Sequence, residues 1–370
     1  MIIGTPTEIK DNEYRVGLIP NAVHQLTNMG HRVLIQKGAG LGSGIGDEEY
    51  VAAGAEIVPT ADEVFGASDI VVKVKEPLPE EYGKLRKDQI LYTFLHLAPV
   101  PELTKALLEQ EIIGIAYETI LEDGALPCLI PMSEVAGRMA VQIGAHLLER
   151  PQGGRGILLG GVPGVPPSNV IVIGAGVVGL NAIKIAHGMG ARTTVIDIDP
   201  RQLRKIDDLF HGQVVTLMSN PLNIEGALRR ADLLVGAVLV TGAKAPHIVT
   251  REMLGVMKKD SVIVDVSVDQ GGCVETIHPT SHSNPTYFVD GVLHYGVANI
   301  PGAVPRTSTY ALSNATMPYL YRIVEMGLKK AIESSEALRQ GVNVYRGHLT
   351  YKAVADDQGL PYTPLEKVFA

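Results

Sequence analysis

Four ionisable residues have types and positions suited to chemistry on a small amino or hydroxy acid. They are Arg15 in N-E-Y-R-V, Lys75 in V-K-V-K-E-P, His96 in Y-T-F-L-H-L-A-P and Asp269 in V-D-Q-G-G. A guanidinium grips a carboxylate through two parallel hydrogen bonds. An ammonium polarises a carbonyl or shares the same anion. An imidazole titrates near neutral pH and moves protons. An aspartate binds an ammonium or orients a water. With a dinucleotide beside them, such groups suit hydride transfer at an α-carbon bearing NH₂ or OH. Singly, each has an ordinary alternative: a solvated surface charge, a structural histidine, a turn aspartate before two glycines.

The elements that must position these residues are strands. Residues 70–75 form an apolar run that carries two lysines and breaks at Pro77 and Pro79. Alternation puts Val71, Lys73 and Lys75 on one face and Ile70, Val72 and Val74 on the other. Two ammonium groups there need water or an anion; Lys73 is expected at a cleft rim or paired with an acid. Lys75 and His96 both fall at the C-terminal ends of strand-like runs, where open α/β sheets bind ligands.

Around them, the first 125 or so residues alternate strand and helix signals. Residues 20–29, 47–53 and 101–110 are expected to be helical, with Asp47 as an N-cap. Residues 1–4, 70–75, 90–95 and 114–117 are expected to be strands. Repeated βα units imply a largely parallel sheet covered on both faces. Residues 133–150 have a helical pattern, and 151–167 are too dense in Gly and Pro for regular structure. A second βα series runs from 169 to about 305. A helix is expected over 310–335, and the last 60 or so residues have few strand signals. The predicted fold class is α/β, with two doubly wound parallel-sheet (Rossmann-like) domains. The first spans 1–126 plus 306–370, a discontinuous substrate domain completed by a C-terminal helical segment; the second spans 127–305 and binds the dinucleotide.

The strongest local signal is N-V-I-V-I-G-A-G-V-V-G, followed by a helix and by the strand that ends at Asp197. Gly174 permits the tight turn, Gly176 lets the backbone approach a pyrophosphate, and Gly179 lets helix and strand pack closely. The helix N-terminus offers N–H groups and partial positive charge to phosphate. Asp197 lies 23 residues after Gly174, the offset expected of a carboxylate that holds a ribose hydroxyl pair. That carboxylate repels a 2′-phosphate and favours NAD, with Arg201 and Arg204 near enough in sequence to offset it. Two apolar runs, 231–240 and 260–268, read as buried parallel strands, and their following loops face the nicotinamide half. Asp269 and Asn299 lie just past such runs.

Composition narrows the rest. A net charge of −8 and the lack of a basic stripe argue against nucleic acid. No apolar run approaches the roughly 20 residues that span a bilayer, and no secretory signal opens the chain. The two cysteines, Cys128 and Cys273, form no metal-ligand spacing and are expected to be reduced thiols. The protein is therefore expected to be cytoplasmic, with no membrane, nucleic-acid or metal partner.

Over essentially its whole length the sequence resembles the alanine dehydrogenases. The matching stretches are G-T-P-T-E-I-K-D-N-E-Y-R-V, V-K-V-K-E-P, F-L-H-L-A, G-G-R-G-I-L-L-G-G-V-P-G-V-P-P, G-A-G-V-V-G, G-A-K-A-P, V-D-Q-G-G-C and N-I-P-G-A-V-P-R-T-S-T-Y-A-L. The N-terminal part is also similar to the NAD-binding subunit of proton-translocating transhydrogenases and, more weakly, to saccharopine dehydrogenases. The resemblance implies reversible NAD-dependent oxidative deamination of L-alanine to pyruvate and ammonia by a homo-hexamer. By motif, Arg15 would bind the substrate carboxylate, Lys75 its carboxylate or carbonyl oxygen, and His96 would be the general acid/base. Asp269 would assist with water, ammonia or iminium. Ser133, the loop through Gly174, Gly176, Val177 and Gly179, Asp197, Ser219, Leu239, Val268 and Asn299 would line the NAD site. The family usually has Pro where Thr241 stands, Met where Ile300 stands and Gly where Ala175 stands. Two alternatives stay open: an NAD(H)-binding module that passes hydride to a partner protein, and a dehydrogenase of another small amino or 2-oxo acid.

Overall fold

The structure is a computed structural model and describes residues 1–238 and 245–369. The chain divides into two units, Met1–Met132 with Val304–Ala370, and Ser133–Ala303. Each is built on a sheet of the doubly wound kind.

In the first unit, β1 (Ile2–Thr5), β2 (Arg32–Gln36), β3 (Glu56–Val58), β4 (Ile70–Val72), β5 (Ile90–Thr93) and β6 (Ile113–Ala116) lie in the order β3-β2-β1-β4-β5-β6. All five pairings are parallel. The order reverses between β1 and β4, and that is the point at which such sheets open a crevice for ligands. Strands β4, β5 and β6 are buried on both faces, as their continuous apolar runs require. The C-terminal segment adds Val342–Tyr345 and His348–Leu349 (β14 and β15), the first antiparallel to β6. One core lies between Val71, Leu91, Leu95, Leu103, Leu107 and Val344.

In the second unit, β7 (Asn169–Ile173), β8 (Arg192–Asp197), β9 (Val215–Met218), β10 (Leu233–Gly236), β11 (Val262–Asp265), β12 (Thr286–Val289) and β13 (Val292–Tyr295) follow the order β12-β13-β11-β10-β7-β8-β9. Only the edge pair β12–β13 is antiparallel. The parallel part repeats the 3-2-1-4-5-6 order of the first sheet, and its reversal lies between β7 and β10.

Several expectations need correction. The lysine run is a shorter strand than the six residues expected: it ends at Val72, with the Lys73 N–H still bonded to the Tyr92 carbonyl. Lys73 is wholly buried and paired with acids, one of the two settings expected for it, Glu8 and Glu81 meeting its ammonium. Asp47 is the first helical residue of Asp47–Ala52, with Gly46 as N-cap; its carboxylate accepts from the Gly38 N–H at 2.8 Å. The long helix begins earlier and ends earlier than expected, at Ile130–Leu147. The stretch 310–335 is two helices, Pro305–Met326 and Leu328–Ser334, broken where Gly327 takes φ +78°. No helix among the described residues is long and apolar enough to cross a membrane.

Helix Ile130–Leu147 shows how tightly the second unit is packed. A Cβ added at Gly137 would lie 2.2 Å from the Val178 carbonyl oxygen. Alanine would gain about 1 kcal/mol of helix propensity, but forcing a methyl against backbone costs about 1–3 kcal/mol. Gly137→Ala is expected to lower stability, read as a lower urea midpoint with unchanged slope; a raised midpoint would show that the two helices part freely.

Candidate active site

Four loops at the C-terminal edge of the first sheet carry the candidate side chains. Arg15 follows β1, Lys75 follows β4, His96 follows β5 and Glu118 follows β6. The Arg15 guanidinium is buried and donates from Nε and Nη2 to both oxygens of Glu13, at 2.7 and 2.5 Å. Its Nη1 faces Met132 Sδ at 3.1 Å. Lys75 Nζ stands 3.4 Å from His96 Nε2. The Arg15 charge acts on both Lys75 and His96. The structure thus brings together three of the four residues singled out by type; Asp269 belongs to the second unit.

Electrostatics sets the protonation of this group. Burial, then the neighbouring Lys75 ammonium, pushes the His96 imidazole down to about 3, so the ring is neutral at ordinary pH. Burial also lowers Lys75, although Glu76 opposes. Burial pushes Glu76 up, but His96, Lys75 and Lys10 outweigh it and hold the carboxylate below its usual range. Lys10 is paired with one Glu76 oxygen; the other, Oε2, is buried without a hydrogen-bond partner among the described residues.

His96 has a left-handed backbone, φ +46°, which is uncommon for a residue with a side chain. The cause is a pair of backbone hydrogen bonds. The successive N–H groups of Leu95 and His96 turn to one side and both donate to the Glu118 carboxylate, at 3.1 and 2.6 Å. Such a pair of N–H groups is an anion-binding concavity. The imidazole stacks on Phe94, ring centres 5.6 Å apart and planes 8° apart. Neither Glu118 nor Glu76 stood out in the sequence. Glu118 in A-Y-E-T also follows a strand, the same positional signal that marked His96.

The second unit places the glycine loop between β7 and helix Val177–Gly188. Gly174 has φ +100°, and a Cβ there would meet the Ala237 oxygen at 2.4 Å; at Gly179 it would lie 1.8 Å from the Gly174 oxygen. At Gly176 it would meet nothing within 4 Å. The loop is therefore closed where strand and helix touch and open where a pyrophosphate would approach. The helix N-terminus has no side-chain cap, which leaves its N–H groups to a ligand. Asp197 ends β8 and accepts from the Ala175 and Asp199 N–H groups at 2.6 and 2.7 Å. Arg201 pairs with Asp199 rather than turning to Asp197. These residues fit a dinucleotide.

The remaining candidates are spread over the same unit. Ser219 follows β9 and its N–H bonds the Asp197 carbonyl at 2.9 Å. Ile198, just after β8, and Leu222, in the first turn of the helix after β9, are 76% and 80% exposed apolar residues that sequence reasoning missed. Val268 is buried and Asp269 exposed in the turn Val268–Gln270. Asp265 braces that turn by accepting from Ser267, Cys273 and Val274 N–H. Asn299 has φ +72°, and its carbonyl meets His282 Nε2 at 3.2 Å. Ser133 is partly buried at the start of the unit. Leu239 and Thr241 lie outside the described residues.

Comparison with known proteins decides the family. The model of the alanine dehydrogenase/PNT N-terminal domain matches residues 4–136, and that of the C-terminal domain matches 140–352. The chain belongs to the alanine dehydrogenase/PNT family. It is 57% identical over 369 residues to an alanine dehydrogenase of Methanococcus maripaludis, covering 99% of each chain. A solved L-alanine dehydrogenase superposes with a TM-score of 0.95 at 52% identity, over 97% of this chain and 99% of that one. A transhydrogenase structure from Sinorhizobium meliloti superposes with a TM-score of 0.82 at 25% identity, over 94% of this chain and 100% of that one. As a member of the alanine dehydrogenase/PNT family, the chain is an oxidoreductase whose second unit fits a nicotinamide dinucleotide.

Glu118 yields a test within this family member. Burial pushes its carboxyl from 4.5 up to about 7, against the backbone N–H groups that favour the anion. A group raised on folding contributes stability below its unfolded value and loses it as pH rises through the folded one. Relative to Glu118→Gln, which does not titrate, the native protein is expected to lose thermal stability between about pH 4.5 and 7. Glu118→Ala strands two N–H donors and is expected to lower kcat about tenfold or more, at roughly 1–3 kcal/mol for the lost acceptor. A stability difference independent of pH would remove the titration from Glu118.

Proposed function

We propose that the protein catalyses the reversible NAD-dependent oxidative deamination of L-alanine to pyruvate and ammonia. The observation that carries this reading is the Lys75–His96 pair at 3.4 Å, with the Arg15 guanidinium nearby, at the reversal point of the first sheet. The names of its close relatives support the substrate. Arg15, oriented by Glu13, and Lys75 hold the alanine carboxylate. Bound NAD supplies the hydride acceptor.

His96 is neutral before substrate arrives, so it acts first as a base. When a carboxylate enters, its negative charge offsets Lys75 and Arg15, and the proton affinity of the ring rises. The base therefore strengthens when there is a substrate to serve. It takes a proton from the water that attacks the iminium carbon, and returns it as the carbinolamine collapses to pyruvate and ammonia. Asp269 is proposed to assist the water or ammonia, and Ser133, Gly174, Gly176, Val177, Gly179, Asp197, Ser219, Leu239, Val268 and Asn299 to hold the cofactor. The Arg201–Asp199 pair favours NAD over NADP, because it occupies a cation that would otherwise serve a 2′-phosphate.

Purified protein with NAD and L-alanine at alkaline pH is expected to raise absorbance at the NADH band, and NADP is expected to serve far less well. His96→Ala is expected to lower kcat by about 10²–10⁴-fold. Silence with alanine, but hydride exchange between two nucleotides, would favour the transhydrogenase-like module suggested by the likeness to the Sinorhizobium structure. A panel of small amino and 2-oxo acids tests the pocket. We further propose a homo-hexamer. Leu158, Val162 and Val165 expose apolar side chains on the Gly/Pro segment, which supports contact between copies. Light scattering on the eluted protein is expected to give six times the 39.5 kDa chain mass; a monomer would overturn this.

A further inference from the structure

Lys73 is a fully buried ammonium that the proposed reaction does not use. Its Nζ donates to Glu8 Oε2 at 3.0 Å and to Glu81 Oε1 at 2.9 Å. All three side chains are buried. Such a group is not needed for stability, since well-packed apolar residues of like volume serve as well or better. What it does show is direction. The other oxygen of Glu8 accepts from the Val74 N–H at 2.6 Å and from the Lys75 N–H at 3.3 Å. The other oxygen of Glu81 accepts from the Leu78 N–H at 3.0 Å. Lys73 itself is tied at both backbone ends, its N–H to the Tyr92 carbonyl and its carbonyl to the Tyr117 hydroxyl.

Lys75 is therefore gripped from two sides. Glu8, locked by Lys73, takes its N–H, and the Thr93 hydroxyl donates to its carbonyl at 3.0 Å. This matters because strand β4 ends at Val72 and the last ladder-like bonds to β5 are made by the Lys73 N–H and the Val74 carbonyl, whereas the backbone bonds of Lys75 go to side chains. A lysine side chain is long, and a small backbone rotation moves its ammonium far. We infer that Glu8, held in place by Lys73, and Thr93 are positioning residues that aim the Lys75 ammonium at the substrate carboxylate beside His96. The inference rests on the proposed role of Lys75 as a substrate-holding residue.

The two acids around Lys73 give a matched pair of variants. Glu8→Asp and Glu81→Asp make the same chemical change on the same ammonium and keep every charge. Only the first draws an oxygen away from Val74 and Lys75. Glu8→Asp is expected to raise KM for alanine and pyruvate about tenfold while KM for NAD stays within about twofold. Glu81→Asp is expected to lower the melting temperature comparably and leave all KM values within about twofold. Equal KM changes in the two variants, or none in either, would overturn the inference. Thr93→Val is isosteric and touches no charge, so it reports even if Glu8→Asp does not fold. It is expected to raise KM for alanine about threefold, and an unchanged value counts against the inference. Lys75→Ala keeps the two failures apart. If it leaves KM for alanine and pyruvate unmoved, the substrate role of Lys75 is wrong, and the inference falls with it. If it raises them while the Glu8 and Thr93 variants do not, only the positioning role is wrong.

Discussion

An ammonium and an imidazole 3.4 Å apart cannot both carry charge at modest cost. Two unit charges at that separation repel by about 5 kcal/mol at an effective dielectric constant of about 20. The Lys75–His96 contact therefore opposes double protonation, histidine is the neutral partner, and the surrounding acids serve that pattern. Glu13 steers Arg15, Glu76 answers Lys10 and lies in the field of Lys75, and Glu118 holds the imidazole from behind through the backbone. Without those acids, Lys75 and the buried Arg15 would share a low-dielectric pocket, with the more exposed Lys10 beside it, that an incoming anion would make tolerable.

The two sheets solve the positioning problem in the same way and spend it on different ligands. Both reverse strand order beside their first strand; the first unit presents the loops after β1 and β4 there, the second the loop after β7. In the first unit those loops end in charged side chains, and cations aim at an anion. In the second the loop after strand one is glycine, so backbone N–H groups and a helix end take the place of side chains. The difference follows from ligand size. A small carboxylate must be reached for, whereas a pyrophosphate must be allowed to come close.

What could be read in the sequence follows from how locally each feature is encoded. The glycine loop was legible because its geometry forbids a Cβ at Gly174 and Gly179, and that constraint leaves residue types behind. Buried parallel strands were legible as unbroken apolar runs. That Lys73 needs an acid was legible, because a buried ammonium must be paired; which acids supply the partners was not. Asp47 resembled a cap because a carboxylate before a helix usually caps it; here Gly46 takes the cap and the carboxylate crosses to Gly38. Glu8 had no signal in the sequence and Glu118 only its place after a strand, because their partners lie 66 and 22 residues away. A lone acid in a loop looks the same whether it faces water or two converging N–H groups.

That contrast explains why the candidate site is built in layers of different legibility. The residues that would touch substrate must have particular chemistry, and Arg15, Lys75 and His96 could be picked out by type. The residues behind them need only an oxygen at the right place, and several routes through the fold could supply one. His96 shows the consequence most clearly. Its left-handed backbone is a strained state for a residue with a Cβ, costing on the order of 1–3 kcal/mol. Histidine enters that region more readily than most residues with a side chain, yet it remains an uncommon state. In that state the Leu95 and His96 N–H groups both reach the Glu118 carboxylate, so the direction of the imidazole is supported by an acid one strand of sequence further on. The aim of the proposed base is thus a property of the sheet edge as a whole, and any change in how β5 and β6 present their ends would be felt at the ring before it was felt in the core.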